Sequence, residues 1–338
     1  MITVEELEKH LTRPSEELVQ EMASLKGDLL ILGVGGKMGP TLAKLAKNAL
    51  QAAGRKNRVI GVSRFSTDKL RQHLEAQGVD TVSADLMEED QLRALPQADN
   101  IIFMAGRKFG TSGQEHQTWA MNAYLPGRVA ENYRNSRIVS FSTGNVYPLL
   151  PLAWGGASEE QPADPVGEYG QSCLGRERVF QYFSRKHGIP MVLFRLNYAI
   201  DLRYGVLLEI AQAVQAEEAI DLRMGNVNVI WQGDANEMAL RSLFHCESPP
   251  RVLNVTGPEN ISVRWVAEEF GRKLGKKPVF VNEEEPRALL SNASCAHHLF
   301  GYPKVSLRQM IDWTVRWIEA GGVTLDRPTH FQEREGVF

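Results

Sequence analysis

Apolar residues along this chain gather into short unbroken runs, separated by stretches in which they recur every three or four positions. The runs are "DLLILG" (28–33), "RVIGVS" (58–63), "NIIFMAG" (100–106), "RIVSFST" (137–143) and "PMVLFRL" (190–196). Runs of this length without alternation predict strands buried on both faces, as in parallel sheets. A weaker "VDTVSAD" (79–85) falls between the second and third. The stretch "PTLAKLAKNALQAAG" (40–54) places Leu42, Leu45, Ala46 and Ala49 on one face, with Pro40 near its start and Gly54 at its end, and so predicts a helix. "QTWAMNAYLPGRVAENYRN" (117–135) predicts another, disturbed by Pro126 and Gly127. This alternation predicts an α/β fold built on a doubly wound parallel sheet.

After about residue 200 the pattern changes. "RYGVLLEIAQAVQAEEAI" (203–220), "SVRWVAEEFGRKLGKK" (262–277) and "SLRQMIDWTVRWIEAGG" (306–322) are amphipathic and helical, whereas "NVNVIWQGD" (226–234) and "RVLNVTG" (251–257) are strand-like. The expected division is a helical extension over 1–26, a main domain over 27–200 to which 226–257 returns strands, and a small α/β lobe from 201–225 and 258–338. The extension reads as one surface helix with Ser15 as its N-cap, and Asp234 reads as the cap of "ANEMALRSLF". The tail "DRPTHFQEREGVF" is expected to dock on a neighbouring subunit or to fray.

Bulk composition narrows the classes. With 338 residues, 43% hydrophobic and 23% charged, the chain suits a soluble globular protein with a sizeable core. A net charge of -3 gives no reason to expect a nucleic-acid partner. No run of about 18 apolar residues predicts a membrane span. The start of the chain is acidic and amphipathic, unlike a signal peptide. Three cysteines without paired spacing suit a reducing cytoplasm. "CAHHLF" (295–300) lacks the spacing of a closed zinc site and reads as a helix, so no metal is expected.

The first run leads directly into "GVGGKMGPTLAKLA". Gly33, Gly36 and Gly39 fall at three-residue intervals between a strand and a helix. Glycine there permits a tight turn, close backbone approach to a pyrophosphate, and close helix packing. The N–H groups and dipole at the helix start favour phosphate. With this loop the chain resembles the extended short-chain dehydrogenase/reductases, the NAD(P)-dependent epimerase/dehydratase group, whose fold is a Rossmann-type sheet with a small C-terminal α/β substrate lobe. Further segments resemble that group in the same order: "SADLMEED", "FMAG", "FSTGNVYP", "EYGQSCLGRERV", "FRLNYAID" and "LNVTGPENISVRWVAEEFGRKLGKKP", over roughly residues 28 to 320. The resemblance implies that Gly33, Gly36, Lys37, Met38 and Gly39 form the phosphate loop, that Asp85 and Leu86 contact adenine, and that backbone at Ala105 and Gly106 approaches the cofactor. It implies catalytic roles for Thr143 and Tyr169, with Tyr169 also at the cofactor, and sets Asn122 where the family has a structural or active-site asparagine.

The second strand ends in Ser63 and Arg64, without the acid that would hydrogen-bond an adenosine ribose. Arg64 offers a guanidinium fork to phosphate, and Lys37 offers a second charge. NADP is therefore preferred as cofactor, with NAD the alternative.

The family pattern is Tyr-x-x-x-Lys, and here position 173 is cysteine. In the family the lysine holds the nicotinamide ribose and lowers the tyrosine pKa. A unit charge about 4 Å away, at an effective dielectric of about 20, is worth roughly 4 kcal/mol, or about three pKa units. A neutral Cys173 thiol supplies none of this. Lys108 and Arg107, in the loop after "NIIFMAG", are the preferred substitutes. Arg176 shares the face of Tyr169 but lies about 10 Å along the axis. His116 is a further candidate proton acceptor. Without a cation, the site also fits a catalytically silent sensor or scaffold that binds a dinucleotide and turns nothing over.

Candidate substrate residues are Asn197 and Tyr198 by the resemblance, and Arg203, Arg223 and Trp231 as anion clamps or a sugar-stacking ring. The expected function is NAD(P)-dependent oxidoreduction, epimerisation or dehydration of a sugar or sugar-acid derivative, in a cytoplasmic protein that can form a homodimer.

Overall fold

The computed structural model describes residues 3–108, 113–325 and 328–337. Its central sheet has seven parallel strands: β1 (Leu29–Leu32), β2 (Val59–Ser63), β3 (Asp80–Ser83), β4 (Asn100–Phe103), β5 (Arg137–Thr143), β6 (Met191–Leu196) and β7 (Arg251–Val255). Their order is β7-β6-β5-β4-β1-β2-β3. In β1, Leu29 pairs with Val59 of β2 on one side and with Asn100 of β4 on the other. The order thus reverses between β1 and β4, where crevices at the carboxyl ends of the strands bind ligands in such sheets.

Alternate residues of β1 serve opposite cores. Leu29 and Ile31 pack with Leu42 and Ala46 of the helix Gly39–Ala52, and Leu30 and Leu32 pack with Leu125, Val129 and Phe180 on the other face. Both faces are covered, so β1 and β4 are buried throughout. The edge strand β3 is not, which is why its sequence carries a weaker apolar signal.

A third core fills the small lobe, where the helices Val206–Ala216, Val263–Leu274 and Leu307–Glu319 pack together with Trp231. The first 25 residues hold two helices, Val4–Leu11 and Glu16–Ala23, where the sequence predicts one. Pro14 separates them, and the Ser15 hydroxyl accepts a hydrogen bond from the Leu18 amide to cap the second. Leu7 and Leu11 join the small-lobe core, and Leu18 and Met22 join the sheet core.

Three further expectations are corrected. Residues 226–234 are not one strand: Asn226–Val227 and Ile230–Trp231 are short separate pairings, and a helix, Gln232–Arg241, begins at once. Asp234 lies inside that helix rather than at its cap, and its carboxylate accepts from the Val305 amide at 3.1 Å. Over its described residues, 328–337, the C-terminal tail packs on its own chain rather than fraying. Thr329 and Phe331 are buried, and Arg334 pairs with Glu285 at 2.8 Å.

The helix expected over 117–135 runs as Glu115–Trp119, a π turn Ala120–Tyr124, and Leu125–Asn132. Pro126 follows the π turn within a continuous helix, and the Asn122 carbonyl four residues before it, which its missing N–H cannot serve, accepts from Arg176 at 3.3 Å. The irregularity lies just before it, as a π turn of the kind often found at functional sites.

Candidate active site

Strand β5 ends at Thr143, and Tyr169 lies in the first turn of the long helix Gly167–His187. The Thr143 hydroxyl accepts from the Asn145 amide at 3.2 Å and from its side-chain Nδ2 at 3.1 Å. A hydroxyl has two lone pairs and one proton. With both lone pairs engaged, Thr143 has its proton left for a partner in the cavity that it lines together with Tyr169.

Cys173 follows Tyr169 one helical turn on and packs in the same cluster. Cys173 is buried against Val146 and Tyr147, and burial raises its pKa, so the thiol is neutral. Burial also holds the Tyr169 phenol well above its ordinary range, and the neighbouring Cys173 adds to this. The Arg176 charge and the Thr143 hydroxyl pull the other way.

Two cations occupy the surroundings that a lysine at 173 would have served. The Lys108 ammonium lies 5.8 Å from the centroid of the Tyr169 ring and donates to the Thr329 carbonyl at 3.0 Å. Burial pushes its pKa down to about 8, opposed by the Glu209 carboxylate. Arg176 is buried and reaches back along its helix. Its guanidinium donates to the Phe141 carbonyl at 2.6 Å and to the Asn122 carbonyl and side-chain oxygens at 3.3 and 2.9 Å. From there its charge still acts on Tyr169. Arg107 points elsewhere, its guanidinium on Gln117, and His116 is exposed on Glu115–Trp119 outside the cavity.

Asn122 ties these parts together. Delivered by the π turn and fully buried, it accepts from the Arg107 amide at 2.8 Å and donates to the Arg107 carbonyl at 2.9 Å. The same amide nitrogen donates to Ser172 at 3.0 Å. The loop after β4 is thereby held against the Tyr169 helix. Gly106 completes the fit, since a Cβ there would stand 2.6 Å from the Arg176 guanidinium.

The glycine loop has three different tight spots. At Gly33 (φ 93°) a Cβ would stand 2.7 Å from the Ala105 amide, and at Gly39 it would stand 2.2 Å from the Val34 carbonyl. At Gly36 it would meet only the Gly33 carbonyl, at 3.5 Å. Gly33 and Gly39 therefore serve packing, and Gly36 keeps the open side of the loop bare. No side chain caps the helix Gly39–Ala52 that follows. This cradle fits a dinucleotide pyrophosphate.

On one side of the loop a cavity of about 500 Å³ is lined by Arg64, Asp85, Met87, Gly106, Arg107 and Gln117. The Arg64 guanidinium stands 3.9 Å from the Asp85 carboxylate. Leu86 is buried behind Asp85, and the Ser63 side chain packs under the loop at Gly35. On the other side a cavity of about 160 Å³ is lined by Lys37, Met38, Lys108, Thr143, Asn145, Tyr169, Asn197, Tyr198, Tyr204 and Thr329. Lys37 opens toward this second cavity, its ammonium 2.8 Å from the Tyr204 ring centroid, rather than joining Arg64.

Asn197 and Tyr198 thus come to the cavity with Thr143 and Tyr169. Tyr198 holds a left-handed backbone (φ 43°), a strain that clusters at functional sites. The other three substrate candidates do not line it. Arg203 is bound to Asp201 at 2.8 Å and Glu8 at 3.3 Å, Arg223 to Asp221 at 2.6 Å, and Trp231 is core. Sequence reading missed Asn145, Tyr204 and Thr329. Asn145 lies two residues from Thr143 and was within reach, whereas nothing in the tail marks Thr329. Among the described residues no His, Cys, Asp or Glu cluster suits a metal, and no helix is long and apolar enough to cross a membrane.

A reversal of strand order, a bare glycine cradle and a Thr–Tyr pair beside it define a dinucleotide-binding α/β protein of the short-chain dehydrogenase/reductase type. Residues 29–200, half of the chain, match the family model of the NAD dependent epimerase/dehydratase family, and the chain belongs to that family. Among solved structures it is similar to the UDP-glucose 4-epimerase of Thermotoga maritima, at 16% identity over 87% of this chain and 99% of that one (TM-score 0.70). It is similar to the UDP-glucuronic acid 4-epimerase of Bacillus cereus, described in complex with UDP-glucuronic acid and NAD, at 18% identity over 86% and 99% (TM-score 0.70). It is similar too to the UDP-glucose 4-epimerase of Thermus thermophilus, described in complex with NAD, at 20% identity over 86% and 99% (TM-score 0.70). At such identities these likenesses carry the fold alone. Compared with curated protein sequences, the chain finds no match.

Proposed function

We propose that the protein is an NAD-dependent enzyme that oxidises and re-reduces a nucleoside-diphosphate sugar, with epimerisation as the outcome. The observation that carries this reading is the Thr143–Tyr169 pair, in one cavity with two lysines and beside a glycine cradle bare at Gly36. Support for the sugar nucleotide comes from the similar folds, which are described with UDP-sugars.

For the cofactor we propose NAD over the NADP that Arg64 suggests when taken alone. Asp85 stands 3.9 Å from Arg64, so its carboxylate would both satisfy the guanidinium and oppose a 2′-phosphate. The residues that would hold NAD are the Gly33–Gly39 loop, Arg64 with Asp85, and the backbone at Ala105 and Gly106. Bound there, it would supply hydride acceptance and donation.

The chain itself handles the proton. Asn145 orients Thr143, whose one remaining proton is directed into the cavity for the substrate oxygen beside Tyr169. In the closed cavity Tyr169 rests as a neutral phenol, ready to protonate a carbonyl oxygen when the sugar is reduced. In the oxidative direction it must take the hydroxyl proton, and the Lys108 and Arg176 charges make that possible by stabilising phenolate. Asn197 and Tyr198 orient the sugar, and Lys37 faces the entering anionic part.

The test is incubation of the purified protein with NAD and either UDP-glucose or UDP-glucuronic acid, with products read by proton NMR. Conversion is expected, and Tyr169→Phe should reduce it by about 10²- to 10⁴-fold while NAD binding is kept. Full activity in the phenylalanine variant would overturn the mechanism. Failure of the wild type to bind NAD would overturn the cofactor. NAD binding without turnover of any nucleoside-diphosphate sugar would favour the silent reading, which Cys173 in the lysine position supports.

A further inference from the structure

The Lys108 ammonium is held by a backbone carbonyl that belongs to the far end of the chain. Thr329 supplies that carbonyl, and Thr329 is itself buried and gripped from below. Its hydroxyl donates to Glu209 Oε2 at 2.7 Å, and its amide donates to the other carboxylate oxygen, Oε1. Glu209 rises from the helix Val206–Ala216 of the small lobe. Two residues on, Phe331 is buried in the small-lobe core. The tail then crosses to the start of the Tyr169 helix, where a Cβ on Gly336 would stand 2.6 Å from the Gly167 Cα.

We propose that Glu209 is a positioning residue for the reaction: by holding Thr329 through both carboxylate oxygens, it sets the carbonyl on which Lys108 docks and so fixes the ammonium beside Tyr169. This rests on the reading of Lys108 and Tyr169 given above. The geometry makes the small lobe the support of a cation that belongs to the sheet domain by sequence. The arrangement replaces a lysine one turn along the helix with a lysine from a loop, and the loop lysine needs this external anchor.

The titratable groups facing the ammonium are Glu209, Cys173 and Tyr169, His330 on the tail, and Lys37, which also acts on Glu209. Of these, ionised Glu209 favours the charged form of Lys108, and burial opposes it. Loss of the carboxylate charge must therefore lower the Lys108 pKa further, whatever happens to stability.

The test measures Lys108 directly, without cofactor or substrate. Full-length wild type, Glu209→Gln and Glu209→Asp are labelled competitively with an amine reagent across the pH range, and the Lys108 peptide is quantified by mass spectrometry. In the glutamine variant the titration midpoint should fall by about one pKa unit, a tenfold loss of proton affinity, and the aspartate variant should recover part of it. Thr329→Val, which keeps the carbonyl and removes one grip, should increase the labelling rate without moving the midpoint as far. It remains available if Glu209→Gln fails to fold. Because loss of the carboxylate charge moves the midpoint by itself, the labelling rate decides: an unchanged rate for the neutral amine in folded Glu209→Gln, or in Thr329→Val if that is the variant that folds, would overturn the proposal. Because no turnover is needed, this result stands apart from success or failure of the sugar-nucleotide assay.

Discussion

The Lys108 ammonium lies 5.8 Å from the Tyr169 ring, although the two residues are 61 positions apart and on different elements. At about 6 Å and an effective dielectric of about 20, a unit charge is worth roughly 3 kcal/mol to a phenolate. Lys108→Met is therefore expected to lower the oxidative rate by about a hundredfold, and Lys108→Arg by less.

The pH dependence of the same residue gives a sharper prediction. Burial sets its folded pKa at about 8, below the ordinary 10.5. The ammonium is present below about 8 and is lost as pH rises, so wild-type activity should fall across that point, and Lys108→Met should lack the limb. Between the two pKa values the unfolded chain binds the more protons, so the contribution of Lys108 to stability rises over the same window. Rate profiles and thermal melts taken together should move in opposite directions.

The glycine loop separates binding from folding. Gly39→Ala drives a Cβ to 2.2 Å from the Val34 carbonyl and should lower the melting temperature strongly. Gly36→Ala meets only an ordinary contact at 3.5 Å, so it should melt near the wild type yet lose NAD affinity by calorimetry. Normal NAD binding by Gly36→Ala would mean that the pyrophosphate lies elsewhere.

Behind β5 and β6, Glu177 and Arg195 form a two-bonded ion pair at 2.9 and 2.6 Å, with 0% and 5% side-chain exposure. Glu177 also accepts from Ser142, next to Thr143. Glu177→Gln leaves a buried guanidinium without its counter-charge, and should cost about 3–5 kcal/mol in denaturant unfolding. Replacing both residues by apolar ones of similar volume should cost less.

Asp234 carries a carboxyl that burial raises from 3.8 to about 6. Between those values the folded state holds the extra proton, so this group's contribution to stability declines as pH rises through the window. Asp234→Asn should therefore raise the melting temperature at neutral pH by about 1–2 °C for each ~1 kcal/mol gained, as expected for a chain of 338 residues. The gain should vanish near pH 4.

The sheet was legible because strands buried on both faces leave unbroken apolar runs, and six of the seven strands fall inside the runs "DLLILG" to "RVLNVTG", with β3 the faint one at the edge. The segment 226–234 misled because Val227, Val229 and Trp231 alternate like a strand. They are buried, but Val227 and Trp231 pair in two short ladders with different partners, and between them the Asn228 side chain donates to the Ser291 carbonyl and accepts from Asn197. Thr143 and Tyr169 were visible through local spacing. The grip of Glu209 on Thr329 spans 120 positions, and no local pattern records it. The role of Arg176 is likewise set by tertiary contacts, with the Phe141 and Asn122 carbonyls, that no spacing along its helix reveals.

The π turn at Ala120–Tyr124 has a consequence at the level of the gene. Such a turn is one residue more than an α-helix needs, and a helix advances about 100° for each residue. An in-frame deletion of three bases at codon 120 or 121 would heal the helix into regular geometry and leave its apolar face largely intact. It would also swing Asn122 away from Arg107, Ser172 and Arg176 together. A lineage that lost that codon would keep a folded protein and lose the joint on which its catalytic loop is hung.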